Sequence, residues 1–340
     1  MSNLANKMNK IKRNILLFLA ILIVILIICG TAFWAFNQAL RAEANVRYTG
    51  TAMIISEKLS NTIRGMEMNA RNVFNEVERH LDSPAAVEEA LKSKTSLNPD
   101  TRGYFAAFRY NYFKEKGMWY EPYVHQLPNG DYKLAQVGSA RHDYTKSDWY
   151  VQAEKILMNF WSKPYYYYDG TRISGHYCTF VEPILNDKGE LACVCGADIT
   201  LEWISNKLQV IDHEIQRHEQ LNMNKLMRVL NFYSVIIDDD GSCIAHPEGK
   251  NLAVKDVSVL MNMNKKKGGV ANMSIDGEAS TIYYVPIDGM DWSLAIVTPQ
   301  KDIEKPFVYM GIALLLLALL GSFIIWILCL RLTRHNERVY

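Results

Sequence analysis

The sequence predicts an α+β protein in which a long N-terminal helix and two tandem antiparallel-sheet modules are flanked by two transmembrane helices. Three observations lead to this prediction. Two uncharged apolar runs, Ile15–Phe36 and Phe307–Leu330, lie near the ends of the 340-residue chain. A proline-free segment with helical periodicity follows the first run, and short apolar and aromatic runs separated by glycine turns fill the rest. Short runs of this kind, divided by such turns, are typical of antiparallel sheets.

Both apolar runs are predicted to cross a membrane, because each is longer than the ~20 residues that a helix needs to span the hydrocarbon layer. The alternative for the first run is a cleaved signal, with "AEA" at Ala42–Ala44 as the cleavage site, but such signals have a shorter apolar core. Basic residues flank the two runs: Lys7, Lys10, Lys12, Arg13, Arg331, Arg334 and Arg338. Such flanks favour the cytoplasmic side, so we expect a multi-pass protein of the inner membrane with Asn37–Lys305 extracytoplasmic.

Charge and cysteine content narrow the classes of partner and site. The chain has 37 basic and 36 acidic side chains, which gives no support to a nucleic-acid partner. Its outer region contains four cysteines: Cys178, Cys193, Cys195 and Cys243. If a hairpin turns at Asp187 and Lys188, Cys178 lies diagonal to Cys195, so a disulfide and buried free thiols both stay open.

The segment from Asn37 to about Leu81 is predicted to continue the first span as one long helix. It has no proline, and its apolar residues recur at the three- and four-residue spacing of one helix face. They are Ile55, Leu59, Ile63, Met66, Phe74, Val77 and Leu81. This stripe must be buried against the outer domain, a second copy of the helix, or both. A short helix capped near Asp82 or Ser83 should follow.

Two sheet patterns occupy the remainder of the outer region. The first runs from Gly103 to Ile199, has Asn-Gly and Lys-Gly turns, and contains one helix from about Ser147 to Phe160. A helical stretch at 201–222 follows it. The second, smaller pattern has an Asp-Gly turn at Asp240 and a similar turn at 288–291.

The predicted parts follow one another along the chain. They are a cytoplasmic N-terminus (1–14), a first transmembrane helix (15–36), the long helix with the short helix (37–100), a membrane-distal module (101–205), a connecting helix with a membrane-proximal module (206–305), a second transmembrane helix (306–330) and a cytoplasmic tail (331–340).

The order of these parts and several local motifs resemble the double Cache (dCache) extracytoplasmic sensor domain of bacterial transmembrane receptors. In the first module the motifs are "SDWYVQAEK", "FWSKPYYYYDG" and "CTFVEPILNDKGELACVCGADITLEWI". In the second they are "SVIIDDDGSCIAHPEGK" and "YYVPIDGMDWSLAIVTPQKDI". The resemblance covers essentially Asn37–Lys305. It implies two PAS-like modules, of which the membrane-distal one holds a small-molecule ligand.

The resemblance also implies a set of ligand-binding residues: Trp149, Tyr150, Asp198, Tyr144, Ser147, Tyr168 and Asp169. Aromatic faces attract a cation, and one carboxylate fixes its orientation. The alternative is that Trp149 and Tyr150 only fill the core between helix and sheet. Amino-acid-binding members of the family carry an arginine fork at the position of Ser147. The ligand therefore stays open between an amine, an amino acid and another metabolite.

No catalytic or metal constellation is predicted. His213 and His218 lie on different sides of a helix, and the run from Asp238 to Asp240 lacks the later glutamate of a calcium loop. We expect a transmembrane signal receptor without a cofactor, with any enzymatic output beyond Tyr340 or on a partner. The alternatives are a membrane-anchored interaction scaffold, or the input half of a sensor kinase, phosphatase, cyclase or chemoreceptor. Expected partners are the small-molecule ligand, membrane lipid, a second copy bound through the long helix, and a cytoplasmic signalling protein.

Overall fold

The computed structural model describes residues 2–95, 98, 100–127, 129–168, 174–222, 231–249, 252–275 and 277–338. Its helices are α1 (Ser2–Glu78), α2 (Pro84–Thr95), α3 (Asp148–Ile156), α4 (Leu201–Asn222), α5 (Val257–Asn264) and α6 (Gln300–Arg338). Its strands are β1 (Gly103–Phe108), β2 (Pro122–Gln126), β3 (Tyr132–Gln136), β4 (Phe160–Trp161), β5 (Tyr165–Tyr168), β6 (Ser174–Leu185), β7 (Leu191–Thr200), β8 (Tyr233–Ile237), β9 (Cys243–Ala245), β10 (Gly269–Ile275), β11 (Glu278–Pro286) and β12 (Ser293–Pro299). The predicted α+β class with two antiparallel sheets is confirmed.

The chain divides into two compact units. One contains the terminal segments, through Tyr48 and from Thr298, together with residues 272–281; the other contains residues 49–271 and 282–297. In the first unit, α1 and α6 each carry a stretch that is long and apolar enough to cross a membrane. The ring of Phe33 lies beside Gly311, and the guanidinium of Arg41 lies 5.1 Å from the ring centre of Phe307.

The second unit buries the predicted apolar stripe of α1, which confirms that this face packs on the folded domain. The first six residues of the stripe are buried, and the seventh, Leu81, lies just beyond the helix and is partly buried. Phe74 stacks on Phe180 of β6 with the ring centres 6.3 Å apart. Of the two surfaces expected to cover the stripe, the outer domain is the one observed.

The larger sheet lies between two layers of helix. Its strands are antiparallel in the order β3-β2-β1-β7-β6-β4, with β5 paired to β6. Successive side chains of a strand point to opposite faces. On β1, Tyr104 and Phe108 therefore join the core beneath α1 and α2, whereas Phe105 and Ala107 join the core beneath α3.

The helix α3 ends at Ile156, earlier than the predicted end near Phe160. Leu157 takes a left-handed conformation with φ of 49°, and its N–H donates to the carbonyl of Ala153 at 3.0 Å. Glycine is the usual residue for this helix termination, so the sequence carries no recognisable stop signal here. Phe160 and Trp161 instead form the short strand β4, which pairs with β6.

The smaller sheet has the strand order β10-β11-β12-β8-β9. Both predicted turns are present, with Gly241 and Gly289 at φ of 87° and 81°. The helix α5 was not predicted, although its start carries a clear sequence signal. The carboxylate of Asp256 accepts hydrogen bonds from the backbone N–H groups of Ser258 and Val259, which is the usual role of an N-cap residue.

Cys178 on β6 and Cys195 on β7 lie on neighbouring strands, but the strand register keeps them apart. Cys178 lies opposite Ile199, whereas Cys195 lies opposite Glu182. The two thiols are therefore not diagonal neighbours, and of the two open alternatives the free thiols are the one observed. Cys178, Cys193 and Cys195 are buried free thiols.

Replacing Phe74 by alanine should strongly destabilise the folded domain. The side chain is fully buried between α1 and β6, so its removal costs about 3–5 kcal/mol of the free energy of unfolding. Denaturant unfolding of the protein in detergent, followed by tryptophan fluorescence, measures this change. The control Met68→Ala on the exposed side of α1 should change the free energy by less than about 0.5 kcal/mol. Equal effects of the two substitutions would contradict the assigned packing face.

Candidate functional site

A cavity of about 490 Å³ lies on the α3 side of the larger sheet. The sheet forms its floor, the start of α3 forms one wall, and the segment from Ser162 to Tyr168 forms another. The lining residues are Phe105, Glu121, Tyr123, Val137, His142, Ser147, Asp148, Trp149, Gln152, Ser162, Lys163, Pro164, Tyr165, Tyr166, Tyr167, Tyr168 and Asp198. The volume and the mixture of aromatic and charged groups suit a small organic ligand.

The floor of the cavity depends on two glycines. Phe105 pairs with Tyr123 on one side and with Gly196 on the other. A Cβ atom at Gly196 would collide with the ring of Phe105, and one at Gly103 would lie 2.6 Å from the ring of Tyr123. Both rings therefore lie over neighbouring backbone, which leaves the space above them open.

Asp198 supplies a buried carboxylate at one end of the floor. It lies on β7 opposite Gly103 and is 6% exposed. Thr179 donates a hydrogen bond of 2.6 Å from Oγ1 to Oδ1 of Asp198, and the hydroxyl of Tyr165 lies 3.5 Å from the same oxygen. Burial raises the pKa of Asp198 to about 6, and the hydrogen bonds offset part of that rise.

Glu121 supplies a second buried carboxyl group, just before β2. Its side chain is 4% exposed, and Oε2 accepts no hydrogen bond from the described residues. The nearest base is His142, whose Nε2 lies 3.5 Å from Oε2. Burial, together with the charge of Asp198, raises the pKa of Glu121 well above its usual range. Burial also lowers the pKa of His142, so the imidazole is neutral at pH 7.

Aromatic rings enclose the space between the two carboxyl groups. The indole of Trp149 lies 5.0 Å from the ring of Phe105, and the ring of Tyr167 lies 5.0 Å from that of His142. Tyr165 contacts Thr179 through its hydroxyl at 2.7 Å. Aromatic rings that line a small cavity attract a cation through their faces.

Positive charge is scarce around the cavity. Among the described lining residues, Lys163 is the one lysine or arginine, and its Nζ donates to Oδ1 of Asp239 at 2.8 Å. Lys146, which precedes Ser147, is exposed and pairs with Asp143 at 3.0 Å. The described part of the cavity therefore offers three acids, Glu121, Asp198 and the exposed Asp148, and no dedicated basic group for a carboxylate.

The residues predicted from the sequence divide into those that line the cavity and those behind it. Trp149, Asp198, Ser147 and Tyr168 line the cavity. Tyr150 and Tyr144 instead lie in the core beneath α3. The hydroxyl of Tyr144 donates to the carbonyl of Phe108 at 2.6 Å and accepts from the N–H of Tyr120 at 3.1 Å. Asp169 lies outside the described residues.

Sequence reasoning missed several lining residues, of which Glu121, Tyr123, His142 and Tyr165 carry the most chemistry. A weak signal exists for Glu121, because the stretch "WYEPY" places one acid among aromatic residues at the start of a strand. The alternation of side chains along a strand would then place Tyr123 on the same face as Glu121. No comparable pattern marks His142, which enters the cavity from an irregular segment.

The chain matches the model of the Cache domain over residues 36–307. No curated protein matches it. Among solved structures, the extracellular domain of the proposed histidine kinase mmHK1S-Z3 is 18% identical, with a TM-score of 0.57 over 81% of this chain and 98% of that one. The periplasmic sensory domain of the Campylobacter jejuni chemoreceptor Tlp1 is 13% identical, with a TM-score of 0.62 over 78% and 99% of the two chains.

A third solved structure is the ligand-binding domain of the Pseudomonas fluorescens chemoreceptor CtaA in complex with L-isoleucine. It is 14% identical, with a TM-score of 0.54 over 78% of this chain and 96% of that one. Each of these three structures is the sensory part of a receptor or proposed kinase, and each has the fold described above. In this chain, the two candidate membrane spans flank the matched region. The chain therefore belongs to the Cache-domain family, in its double (dCache) form with two sheet modules.

Proposed function

We propose that this chain is a transmembrane receptor whose dCache domain binds a small organic cation, an amine, in the cavity of the larger sheet. The observation that carries this proposal is a cavity of about 490 Å³ that contains two buried acids among aromatic rings. An ammonium group would satisfy a buried acid and rest against the ring faces. The open cavity also favours a sensor over an interaction scaffold, whose corresponding space would be filled.

The charge of the cavity argues against an α-amino acid as the ligand. CtaA is solved with L-isoleucine, so a dCache domain of this fold can hold an amino acid in that protein. In this chain Ser147 occupies the position at which the sequence comparison expects an arginine fork. A ligand carboxylate would enter a space that already holds the ionised carboxylate of Asp198, and like charges in a buried site repel strongly.

The membrane arrangement that fits this function has both termini in the cytoplasm and Asn37–Lys305 outside the inner membrane. The basic residues that flank the two apolar runs support this orientation. In this arrangement the module at 101–205 is the membrane-distal one and holds the ligand. The output passes through the second membrane helix to a cytoplasmic signalling partner, and a second copy associates through the long helix.

Contacts around β4 supply a route from the cavity to α1. Thr179 makes two hydrogen bonds: its hydroxyl donates to Asp198, and its backbone N–H donates to Oγ of Ser162 at 2.9 Å. The next residue back is Trp161, whose Nε1 donates to Oε1 of Glu67 on α1 at 2.7 Å. A ligand that moves Asp198 or the wall at Ser162 would therefore displace a group bonded to the long helix. Such a route transmits a signal only if it has two arrangements that the ligand distinguishes.

Replacing Asp198 by asparagine should weaken amine binding by roughly 10- to 100-fold, because one charge-assisted hydrogen bond is worth about 1.5–3 kcal/mol. The measurement is titration calorimetry of the full chain in lipid nanodiscs with n-alkylamines. Tyr150→Phe is the matched control, since Tyr150 lies outside the cavity lining, and it should bind amines normally. Failure of every amine to bind the unmodified protein would overturn the proposed function.

Amine affinity should fall at acidic pH. Because the pKa of Asp198 is about 6, its carboxylate is ionised at pH 7 and becomes protonated as the pH falls through 6. Protonation removes the attraction, so the Kd of an n-alkylamine should rise by about tenfold for each pH unit below 6. Titrations between pH 7.5 and about 4.5 test this dependence. A Kd that stays constant over this range would contradict the role of Asp198.

Replacing Trp161 by phenylalanine should uncouple α1 from the cavity without changing amine affinity. The smaller phenyl ring keeps an aromatic group at this position but cannot donate the hydrogen bond to Glu67. Hydrogen exchange of the full chain in nanodiscs should then lose the amine-dependent change in α1 between Thr51 and Glu78. The matched control is Trp203→Phe, which removes a similar bond of 3.0 Å to Asp100. An unchanged response in the Trp161 variant would show that the signal takes another route.

A further inference from the structure

We propose that Glu121 is a second recognition residue of the cavity and that the ligand class is a diamine, with one ammonium group on Asp198 and the other on Glu121. This inference rests on the proposed function, because it refines the class of cation that the cavity takes. It assigns a role to a buried acid that amine recognition through Asp198 alone leaves unused.

The two acids lie at opposite ends of the cavity floor, with β1 between their strands. Asp198 pairs with Gly103 at one end of β1. At the other end, the N–H of Phe108 donates to the carbonyl of Tyr120, which places Glu121 beside Ala107. The backbones of Asp198 and Glu121 are separated by two strand spacings of ~4.8 Å across the sheet and by about four residues of ~3.3 Å each along it. Combined at right angles, these distances put the two backbone positions ~16 Å apart. Both side chains line the same cavity, and the charge of Asp198 acts on Glu121.

The middle of the cavity is apolar and therefore suits the methylene chain of such a ligand. Phe105 and Tyr123 form the floor between the two ends, and the indole of Trp149 lies 5.0 Å from the ring of Phe105. Each methylene group buried there should tighten binding by about three- to fourfold. Along the floor an acid is followed by aromatic rings and then by a second acid. The two ammonium groups of an α,ω-diaminoalkane would meet the acids, and its methylene chain would meet the rings.

The protein itself leaves Glu121 incompletely satisfied. Oε2 accepts no hydrogen bond from the described residues, and Nε2 of His142 lies 3.5 Å away. A buried polar group without a partner is costly, so native structures almost always supply one. A neutral His142 supplies no positive charge that would favour ionisation of Glu121, because burial lowers the pKa of this imidazole. A ligand ammonium supplies both the hydrogen bonds and the charge.

Binding of the second ammonium group should be accompanied by release of a proton. Burial and the charge of Asp198 raise the pKa of Glu121, so in the empty cavity this carboxyl group keeps its proton up to a higher pH than an exposed glutamate does. A cation beside it favours the carboxylate, and the proton passes to the buffer. A monoamine bound at Asp198 offsets only the charge of Asp198 and leaves Glu121 without an adjacent cation, so it should release fewer protons. Proton release therefore reports on the role of Glu121 independently of affinity.

The test compares α,ω-diaminoalkanes, from diaminopropane to diaminooctane, with n-alkylamines of equal carbon number. The full chain in nanodiscs is titrated by calorimetry at pH 7.5 in two buffers of different ionisation enthalpy. The best diamine should bind the unmodified protein at least about tenfold more tightly than its monoamine and release more protons than the monoamine does. In Glu121→Gln both differences between diamine and monoamine should disappear.

Glu121→Asp provides a second variant that keeps the charge. Its side chain is shorter by one methylene group, so the preferred diamine should become longer by about one carbon. Equal binding of diamines and monoamines by the unmodified protein, or full diamine preference in Glu121→Gln, would overturn the inference and leave the proposed function standing. An unshifted length preference in a folded Glu121→Asp protein would also overturn it. Absence of binding by all amines would overturn the proposed function itself.

Discussion

The alternation of side chains along β1 and β7 is the constraint on which the rest of the structure depends. One set of residues, including Tyr104 and Phe108, packs beneath α1 and α2, while the other set, including Phe105 and Asp198, faces the cavity. A shift of one residue in either strand would exchange the two sets, placing a carboxylate in the apolar core. The same pairing therefore fixes the packing of the long helix and the chemistry of the ligand site.

Two buried acids make the cavity costly to maintain when it is empty. Glu121 and Asp198 are both nearly inaccessible to solvent, and burial raises the pKa of each. The hydrogen bond from Thr179 offsets part of the free-energy cost of burying Asp198. His142, at 3.5 Å, offsets little of the corresponding cost for Glu121. Preorganised sites commonly contain polar groups of this kind, because a ligand that satisfies them gains affinity from a cost the protein has already met. The amine hypothesis follows from this imbalance rather than from the fold.

Much of the fold could be predicted from the sequence because its signals are local. The stripe on α1, the glycine turns at Gly130, Gly189 and Gly241, and the two apolar runs each depend on residues close together in the chain. The end of α3 could not be predicted, since Leu157 takes the left-handed conformation without a glycine. The side chains of the candidate site were harder still. Tyr144 and Tyr150 share the aromatic character of Trp149, and only packing in three dimensions decides which of these rings reaches the cavity.

The position of Trp149 has an optical consequence. Its indole is 8% exposed, contacts Phe105, and borders the cavity directly. Indole emission depends on the polarity of its surroundings, so any molecule that displaces solvent from this cavity alters the native fluorescence. Trp149 is thus an intrinsic fluorophore beside the cavity, and unlabelled protein suffices to screen candidate ligands.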